Sequence, residues 1–195
     1  MKAKIVSFEG GDGLGKSTQV KLVADILRSQ GKRVTCVKLP AYDKWTGKLI
    51  RKMLKSGTAV TFPNVFQIFQ WLDKIIFQLF YMRNLLQNND YVLFDRWHVS
   101  MWAYGLAGGA NEEMTNALID TLVKPDITFV FHGKCKRDEK NDFYESDAVY
   151  QKCVALYYIL WTCWNDYAKE VYADQSIQSV TDTIIQQIEC LKEKS

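Results

Sequence analysis

A chain of 195 residues with 48% apolar content can bury one good core, and no break in composition divides it, so a single domain over residues 1–195 is expected. Its net charge of +3 comes from basic residues scattered along the chain rather than gathered in a run, which removes any need for a nucleic-acid partner. Five cysteines, at positions 36, 135, 153, 163 and 190, make no C-x-x-C pair, and their odd number argues against a closed disulfide framework and for a reducing, cytoplasmic compartment.

Lys4-Ile5-Val6-Ser7-Phe8 has the character of a buried strand, and Ser17 to Arg28 carries Val20, Leu22, Val23, Ile26 and Leu27 at helical spacing. Between them, Gly10, four residues and Gly15-Lys16-Ser17 fit the phosphate-binding pattern G-x-x-x-x-G-K-[ST] in its required context, after a strand and before a helix. Gly10, Gly11, Gly13 and Gly15 let successive backbone N–H groups turn toward phosphate oxygens. The first turn of the helix adds free N–H groups and the positive end of its dipole. Lys16 supplies a mobile charge for the β and γ phosphates of a nucleoside triphosphate, and the Ser17 hydroxyl suits Mg²⁺.

The chain starts directly on a strand, with no basic start, long apolar run or small-residue cleavage site, so no secretory leader is expected. Gly31 closes the first helix and Arg33 to Lys38 forms a second strand, ended by Leu39-Pro40. Thr46 to Lys55 is a short helix stopped at Ser56-Gly57. Phe62-Pro63 then opens a long helix to about Gln87. Phe66, Phe69, Leu72, Ile76, Phe80 and Met82 lie near one side of it, and Trp71, Ile75, Leu79 and Leu85 widen the apolar face past a single stripe. A face this wide needs covering on two sides, which predicts a homodimer through residues 63–87.

Tyr91 to Phe94 is an apolar strand ending in Asp95-Arg96, and in a parallel sheet this pair emerges beside the glycine loop, where Asp95 can hold Mg²⁺ directly or through water. Helices follow over Trp97 to Leu106 and Asn111 to Leu122, then a strand over Ile127 to Phe131 and a short charged segment through Asn141. A long helix from about Ser146 to Ala168, a short strand near Val171-Tyr172 and a last helix from Ser176 to about Lys192 complete the chain. The apolar stretch Val154 to Trp164 has eleven residues, too few to span a bilayer, so no membrane association is expected. Strands alternating with helices throughout predict an α/β fold with a parallel sheet of five strands flanked by helices.

These residues resemble a known family. Phe8-Glu9-Gly10-x-Asp12-Gly13-x-Gly15-Lys16-Ser17-Thr18, with Asp95-Arg96-x-x-x-Ser100-x-x-Ala103-Tyr104 downstream, is similar to the thymidylate kinases. Lesser marks follow in order: Pro40 with Gly47, Lys124-Pro125-Asp126, Tyr144-Glu145 with Tyr150 and Gln151, and Ala173-Asp174-Gln175-Ser176-Ile177. The resemblance implies the three-layer P-loop NTPase fold with a short lid near residues 133–142, and transfer of the γ-phosphoryl group of ATP to dTMP with Mg²⁺. It implies ATP contacts at Gly10, Gly11, Asp12, Gly13, Leu14, Gly15, Lys16, Ser17, Thr18 and Gln175. Asp12 would meet the deoxyribose or the phosphate site, and Arg96 would bridge acceptor and donor. Phe69 would stack on the base, while Glu9, Ser100 and Tyr104 would serve the acceptor side. A lid cation is implied as well, with Lys136, Arg137 and Lys140 available and Arg137 preferred because a guanidinium can fork onto two phosphate oxygens. The resemblance also makes the long helix a dimer element.

Departures concentrate on the acceptor side. Tyr42 stands where the family has a phosphate-gripping arginine, Phe143 replaces another arginine, and Gly105 replaces a glutamine. Asp73 falls one turn after Phe69, where an arginine would read the thymine carbonyl, unless the register shifts by one and Lys74 takes that place. An ionised aspartate only accepts hydrogen bonds, as does the 4-carbonyl of thymine, so Asp73 would favour the amino group of a cytosine. Three readings stay open. One is a monophosphate kinase with dTMP as default acceptor and dUMP, dCMP or a modified pyrimidine as rivals. The second is a deoxynucleoside kinase with Glu9 or Asp12 as base, and the third a nucleotide-binding regulator without catalysis.

Overall fold

The computed structural model describes residues 3–133 and 148–193. The predicted lid therefore lies outside the described residues apart from Gly133, and with it Lys136, Arg137, Lys140, Phe143 and Tyr144-Glu145. Five strands, β1 (Lys4–Gly10), β2 (Val34–Lys38), β3 (Tyr91–Asp95), β4 (Ile127–His132) and β5 (Ala168–Tyr172), form one parallel sheet in the order β2-β3-β1-β4-β5. β1 and β3, both central, are almost wholly buried, as strands covered on both faces must be.

Helices cover each face. α1 (Lys16–Ser29) and α9 (Ile177–Glu193) pack Val20, Val23, Leu27, Ile184 and Ile188 against one side of the sheet. The other side is covered by α4 (Pro63–Phe77), α5 (Arg83–Asn88), α6 (His98–Ala107) and α8 (Ala148–Trp164). α2 (Trp45–Lys55) and α3 (Thr58–Thr61) lead into α4, and α7 (Glu112–Asp120) follows α6. The side chain of Asn111 caps α7 by accepting from the Met114 N–H at 2.7 Å, with Glu112 and Glu113 in the first turn complementing the helix dipole.

Two elements differ from the sequence reading. The long helix after Pro63 runs without a break to Asn88, but a π-turn over Gln78–Met82 interrupts its regular winding. The wider turn lets residues on both sides of it reach the same core: Phe77 packs its ring 5.8 Å from Phe94 and 6.3 Å from Trp97, and Met82 and Leu86 are buried. Leu79 and Phe80 in the middle of the turn face outward, 70% and 75% exposed, while Met82 at its end is buried. α8 ends at Trp164 rather than Ala168, because residues 168–172 pair with β4, from Thr128↔Ala168 to His132↔Tyr172.

Candidate active site

The loop from Gly10 to Gly15 is built as its glycines require. Gly10 sits at φ 131, and a Cβ there would lie 2.5 Å from the Phe131 carbonyl oxygen on the neighbouring strand. Gly13 and Gly15 adopt φ 72 and 82, the left-handed region that turns consecutive N–H groups to one side. Gly15 caps α1 without a side chain and the first turn holds no acid, so its N–H groups stay open to an anion. Lys16 is 5% exposed and donates to the Gly11 carbonyl at 2.5 Å. Burial, with the nearby Arg96 guanidinium adding to it, pulls its ammonium down to about 7.

β3 sits beside β1 in register Phe8↔Asp95, which carries the Asp95 carboxylate to the loop. The Ser17 hydroxyl donates to Asp95 Oδ2 at 2.5 Å, and Lys38 Nζ at the end of β2 lies 3.5 Å from the same oxygen. Lys38 was not singled out in the sequence, since nothing in β2 alone announces that its last residue pairs with Asp95.

The acceptor side hangs on Glu9. Its side chain is fully buried, and it accepts from the Trp97 N–H at 2.8 Å, the Ser100 N–H at 3.0 Å and the Ser100 hydroxyl. Burial raises its carboxyl above the usual range against these donors. Arg96 stands between β3 and α6 at φ 71, a backbone conformation rare outside glycine. Its guanidinium donates to Asp12 Oδ1 at 2.7 Å, to the Ser100 hydroxyl at 3.0 Å and to the Tyr158 hydroxyl at 3.4 Å, and lies 5.3 Å from the centre of the Tyr104 ring. Tyr104 in turn donates to Asp12 Oδ2 at 3.0 Å. Burial works against the Asp12 charge, but Arg96, Lys16 and these hydrogen bonds outweigh it and bring the carboxyl down to about 2.

Loop, strand ends and α6 open on one cleft of about 540 Å³, lined among others by Lys16, Asp95, Arg96, Tyr104, Tyr150 and Gln175. Asp12, Gly13, Leu14, Gly15, Ser17, Thr18, Tyr42 and Ser100 also line it. Glu9, Phe69 and Asp73 do not. Glu9 is occupied beneath α6, Phe69 packs against the core, and Asp73 is buried and accepts from the Thr46 hydroxyl. The wall of α4 that meets the cleft is Phe66, Gln70 and Lys74, at i, i+4 and i+8, so the register is one residue on from the one anchored on Phe69. Lys74 is 2% exposed and donates to the Gln70 side chain at 3.3 Å and to the Gln70 carbonyl at 3.4 Å. Burial draws its ammonium down to about 8, with Asp73 and Glu9 opposing.

Gly105 also has a physical account. A Cβ there would fall 1.9 Å from Gln67 Nε2, and Gln67, on α4, is buried and donates to the Met101 carbonyl at 2.9 Å. Gln67 therefore fills the space that a side chain at position 105 would take, but it is buried and does not line the cleft. Tyr158, which reaches Ser100 at 2.8 Å from α8, was missed in the sequence because no local pattern separates it from a core tyrosine.

Comparison with known proteins agrees with this geometry. A family model described as thymidylate kinase matches residues 8–184. The thymidylate kinase of Plasmodium falciparum is 25% identical, with 98% of this chain and 92% of that protein covered. That of Desulfotalea psychrophila is 27% identical, with 96% and 95% covered. The solved structure of thymidylate kinase from Candida albicans superimposes with a TM-score of 0.78 at 22% identity, covering all of this chain and 94% of that one, and so has the same fold. With its family model spanning nearly the whole length, this chain belongs to the thymidylate kinase family.

Proposed function

We propose that the chain transfers the γ-phosphoryl group of ATP to dTMP, giving ADP and dTDP. The observation that carries the reading is one cleft with the phosphate loop at one end and, across Arg96, a polar wall of Gln70 and Lys74 at the other. In this reading the loop amides and Lys16 hold the β and γ phosphates, and Gln175 and Thr18 line the donor side. Arg96, fixed by Asp12 and Ser100, lies between donor and acceptor. An oxygen of the acceptor phosphate attacks the γ-phosphorus while the bond to the bridging oxygen breaks, and the clustered cations stabilise the charge that spreads over the transferring group. Lys136, Arg137 or Lys140 adds a further cation from the lid, with Arg137 preferred.

The Ser17 hydroxyl and the Asp95 carboxylate meet within 2.5 Å beside the cleft, a pair of hard oxygen donors that fits Mg²⁺. No group of three or more His, Cys, Asp or Glu that could hold a metal occurs among the described residues, so Ser17 and Asp95 are the protein donors that would hold Mg²⁺, which would supply positive charge against the triphosphate.

Lys74 supports thymine. An ammonium only donates, and the 4-carbonyl of thymine only accepts, whereas the 4-amino group of cytosine would meet it donor to donor. Asp73, the residue that argued for cytosine, is turned to Thr46 and off the cleft. A deoxynucleoside kinase would need a general base, and neither candidate suits: Glu9 is committed to α6, and Asp12, held near 2, is a weak base. Cys36, Cys163 and Cys190 are exposed free thiols, which suits a reducing cytoplasm, and no helix among the described residues is long and apolar enough to cross a membrane.

A homodimer through the long helix is part of the proposal. Val65, Ile68, Leu72, Ile76 and Leu79 recur at i, i+3, i+7, i+11 and i+14, and Val65, Ile68 and Leu79 are exposed although apolar. A second copy of the same helix would cover this stripe.

Three measurements test these points. Product separation with labelled ATP is expected to give the highest kcat/KM with dTMP, ahead of dUMP and dCMP. Lys16→Ala should lose about a thousandfold in rate, roughly 4 kcal/mol, while staying folded. Lys74→Met should erode the preference for dTMP over dCMP by about tenfold or more. A wild type that prefers dCMP, or a Lys74→Met enzyme with unchanged ranking, contradicts the assignment of the base.

Because the Lys16 ammonium sits at about 7, it is mostly neutral at pH 8, and polyphosphate beside it should restore its charge. Calorimetry of ATP binding at pH 8 in two buffers of different ionisation enthalpy should report uptake of most of one proton. Heats that do not depend on the buffer contradict this. Sedimentation at micromolar concentration should give the mass of two chains for the wild type and of one for a variant carrying Ile68→Asp and Leu79→Asp. A monomeric wild type overturns the dimer.

A further inference from the structure

The stretch from Lys44 to Lys55 holds five basic side chains and no acid. It carries +5 in a chain whose net charge is +3, which leaves −2 for everything else. Apolar residues interleave the five, so the sequence shows no run of charge. The helix gathers them: Lys44, Lys48, Arg51, Lys52 and Lys55 recur at i, i+4, i+7, i+8 and i+11, and all five are exposed on one side of α2 and its N-cap. The opposite side buries Thr46, Ile50 and Met53. Lys44 lies 3.7 Å from Asp43, but among the described residues no acid pairs with Lys48, Arg51, Lys52 or Lys55.

This face borders the active cleft. Tyr42, just before α2, and Leu54, within it, both line the cleft. Arg51 is the i−3 neighbour of Leu54 on the helix surface, and its guanidinium lies 5.7 Å over the centre of the Tyr42 ring, a cation–π contact that holds a charge at the rim. α2 packs against α4, with Ile50, Met53 and Phe66 in one buried cluster and the Thr46 hydroxyl donating to Asp73. α4 is the helix that supplies Gln70 and Lys74 to the cleft wall, so the basic face stands beside the acceptor side. Further in, Lys38 lines the cleft as well and continues the positive edge toward Arg96.

We propose that the basic face of α2 guides the anionic acceptor into the cleft: its field draws in the phosphate of a nucleoside monophosphate, and Arg51, held on Tyr42, meets that phosphate at the rim. This role rests on the kinase reading and concerns the encounter that precedes chemistry. Charge of one sign beside a cleft with low-dielectric walls focuses field lines and raises the association rate of an oppositely charged ligand by roughly tenfold to a thousandfold, an effect that salt removes. Acids among the five cations would cancel such a field, and α2 carries none. None of the five lines the cleft, so their contribution is to arrival and not to the hold on bound substrate.

The test compares dTMP with thymidine, which presents the same base and sugar without the phosphate. Calorimetry on the full chain gives Kd, the exchange line shape of the thymine methyl proton signal gives koff, and kon is koff divided by Kd. A variant carrying Lys48→Gln, Arg51→Gln, Lys52→Gln and Lys55→Gln changes only exposed side chains, and glutamine is a good helix former. A second variant, with Lys48→Arg, Lys52→Arg and Lys55→Arg, keeps the charge. In the glutamine variant kon for dTMP should fall about fivefold or more at an ionic strength of about 0.02 M and approach the wild-type value at about 0.5 M, where charges are screened within a few ångström. Its koff, its binding of thymidine, and the arginine variant throughout should match the wild type. Undiminished kon at low salt overturns the proposal. A loss that salt does not erase, or an equal loss for thymidine, overturns it as well, since either marks damage to the site and not lost guidance. A wild type that binds ATP but not dTMP contradicts the kinase reading and this role together, whereas dTMP binding with any of the other three results overturns guidance alone.

Discussion

One buried carboxylate holds the two halves of the active cleft in register. Glu9 belongs to β1, the strand that delivers the phosphate loop, yet its side chain is consumed by the N–H groups of Trp97 and Ser100 at the start of α6. A charged carboxylate without partners in such a place would cost several kcal/mol, and the first N–H groups of α6 would be left unmet as well. Each therefore satisfies the other. Arg96 lies between the two anchored elements: its own N–H donates to the Phe8 carbonyl at 3.0 Å while the next residue is held by Glu9. That double restraint keeps a non-glycine residue at φ 71, a conformation costing about 1–3 kcal/mol, and aims the guanidinium at Asp12 and Ser100.

The electrostatics of the cleft follow from the same economy of space. Lys16 and Lys74 are both nearly buried and both drawn below the ordinary lysine range, while Arg96 stays fully charged beside a strongly acidic Asp12. Lys16, drawn to about 7, is poised to gain charge when an anion arrives beside it, whereas Lys74, drawn to about 8, keeps most of its charge at neutral pH. The Arg96 guanidinium, which does not lose its proton, brings a fixed fork geometry to the same cleft.

How much of this was legible in the sequence differs from element to element. The strand, glycine loop and helix from Lys4 to Ser29 could be read because every part is local: the glycines, the lysine and the hydroxyl occur within one short stretch. Asp95 and Arg96 could be placed because a parallel sheet puts strand ends together. The face of α4 could not. Residues 63–88 are apolar on more than one side, so periodicity gave no unique register, and only packing against α6 decides that Gln70 and Lys74 face the cleft while Phe69 and Asp73 do not. The π-turn over Gln78–Met82 has no sequence mark at all; it follows from Phe77 and Met82 both finding the core. Gln67 filling the space at Gly105, and Tyr158 reaching Ser100, are contacts between residues 38 and 58 positions apart, invisible to any local pattern.

Because Glu9 touches no cleft surface, its substitution separates architecture from contact. Glu9→Gln keeps size and burial but provides one acceptor oxygen where the carboxylate uses two, and it puts an amide N–H against donors of α6. The most direct measurement is kcat/KM for dTMP phosphorylation by Glu9→Gln, with ATP affinity and melting temperature measured on the same protein. If Glu9 holds Arg96 in place, a folded variant that binds ATP near normally will lose tenfold to a hundredfold in kcat/KM, about 1.4–2.8 kcal/mol of transition-state stabilisation. A folded Glu9→Gln protein with undiminished kcat/KM would contradict it.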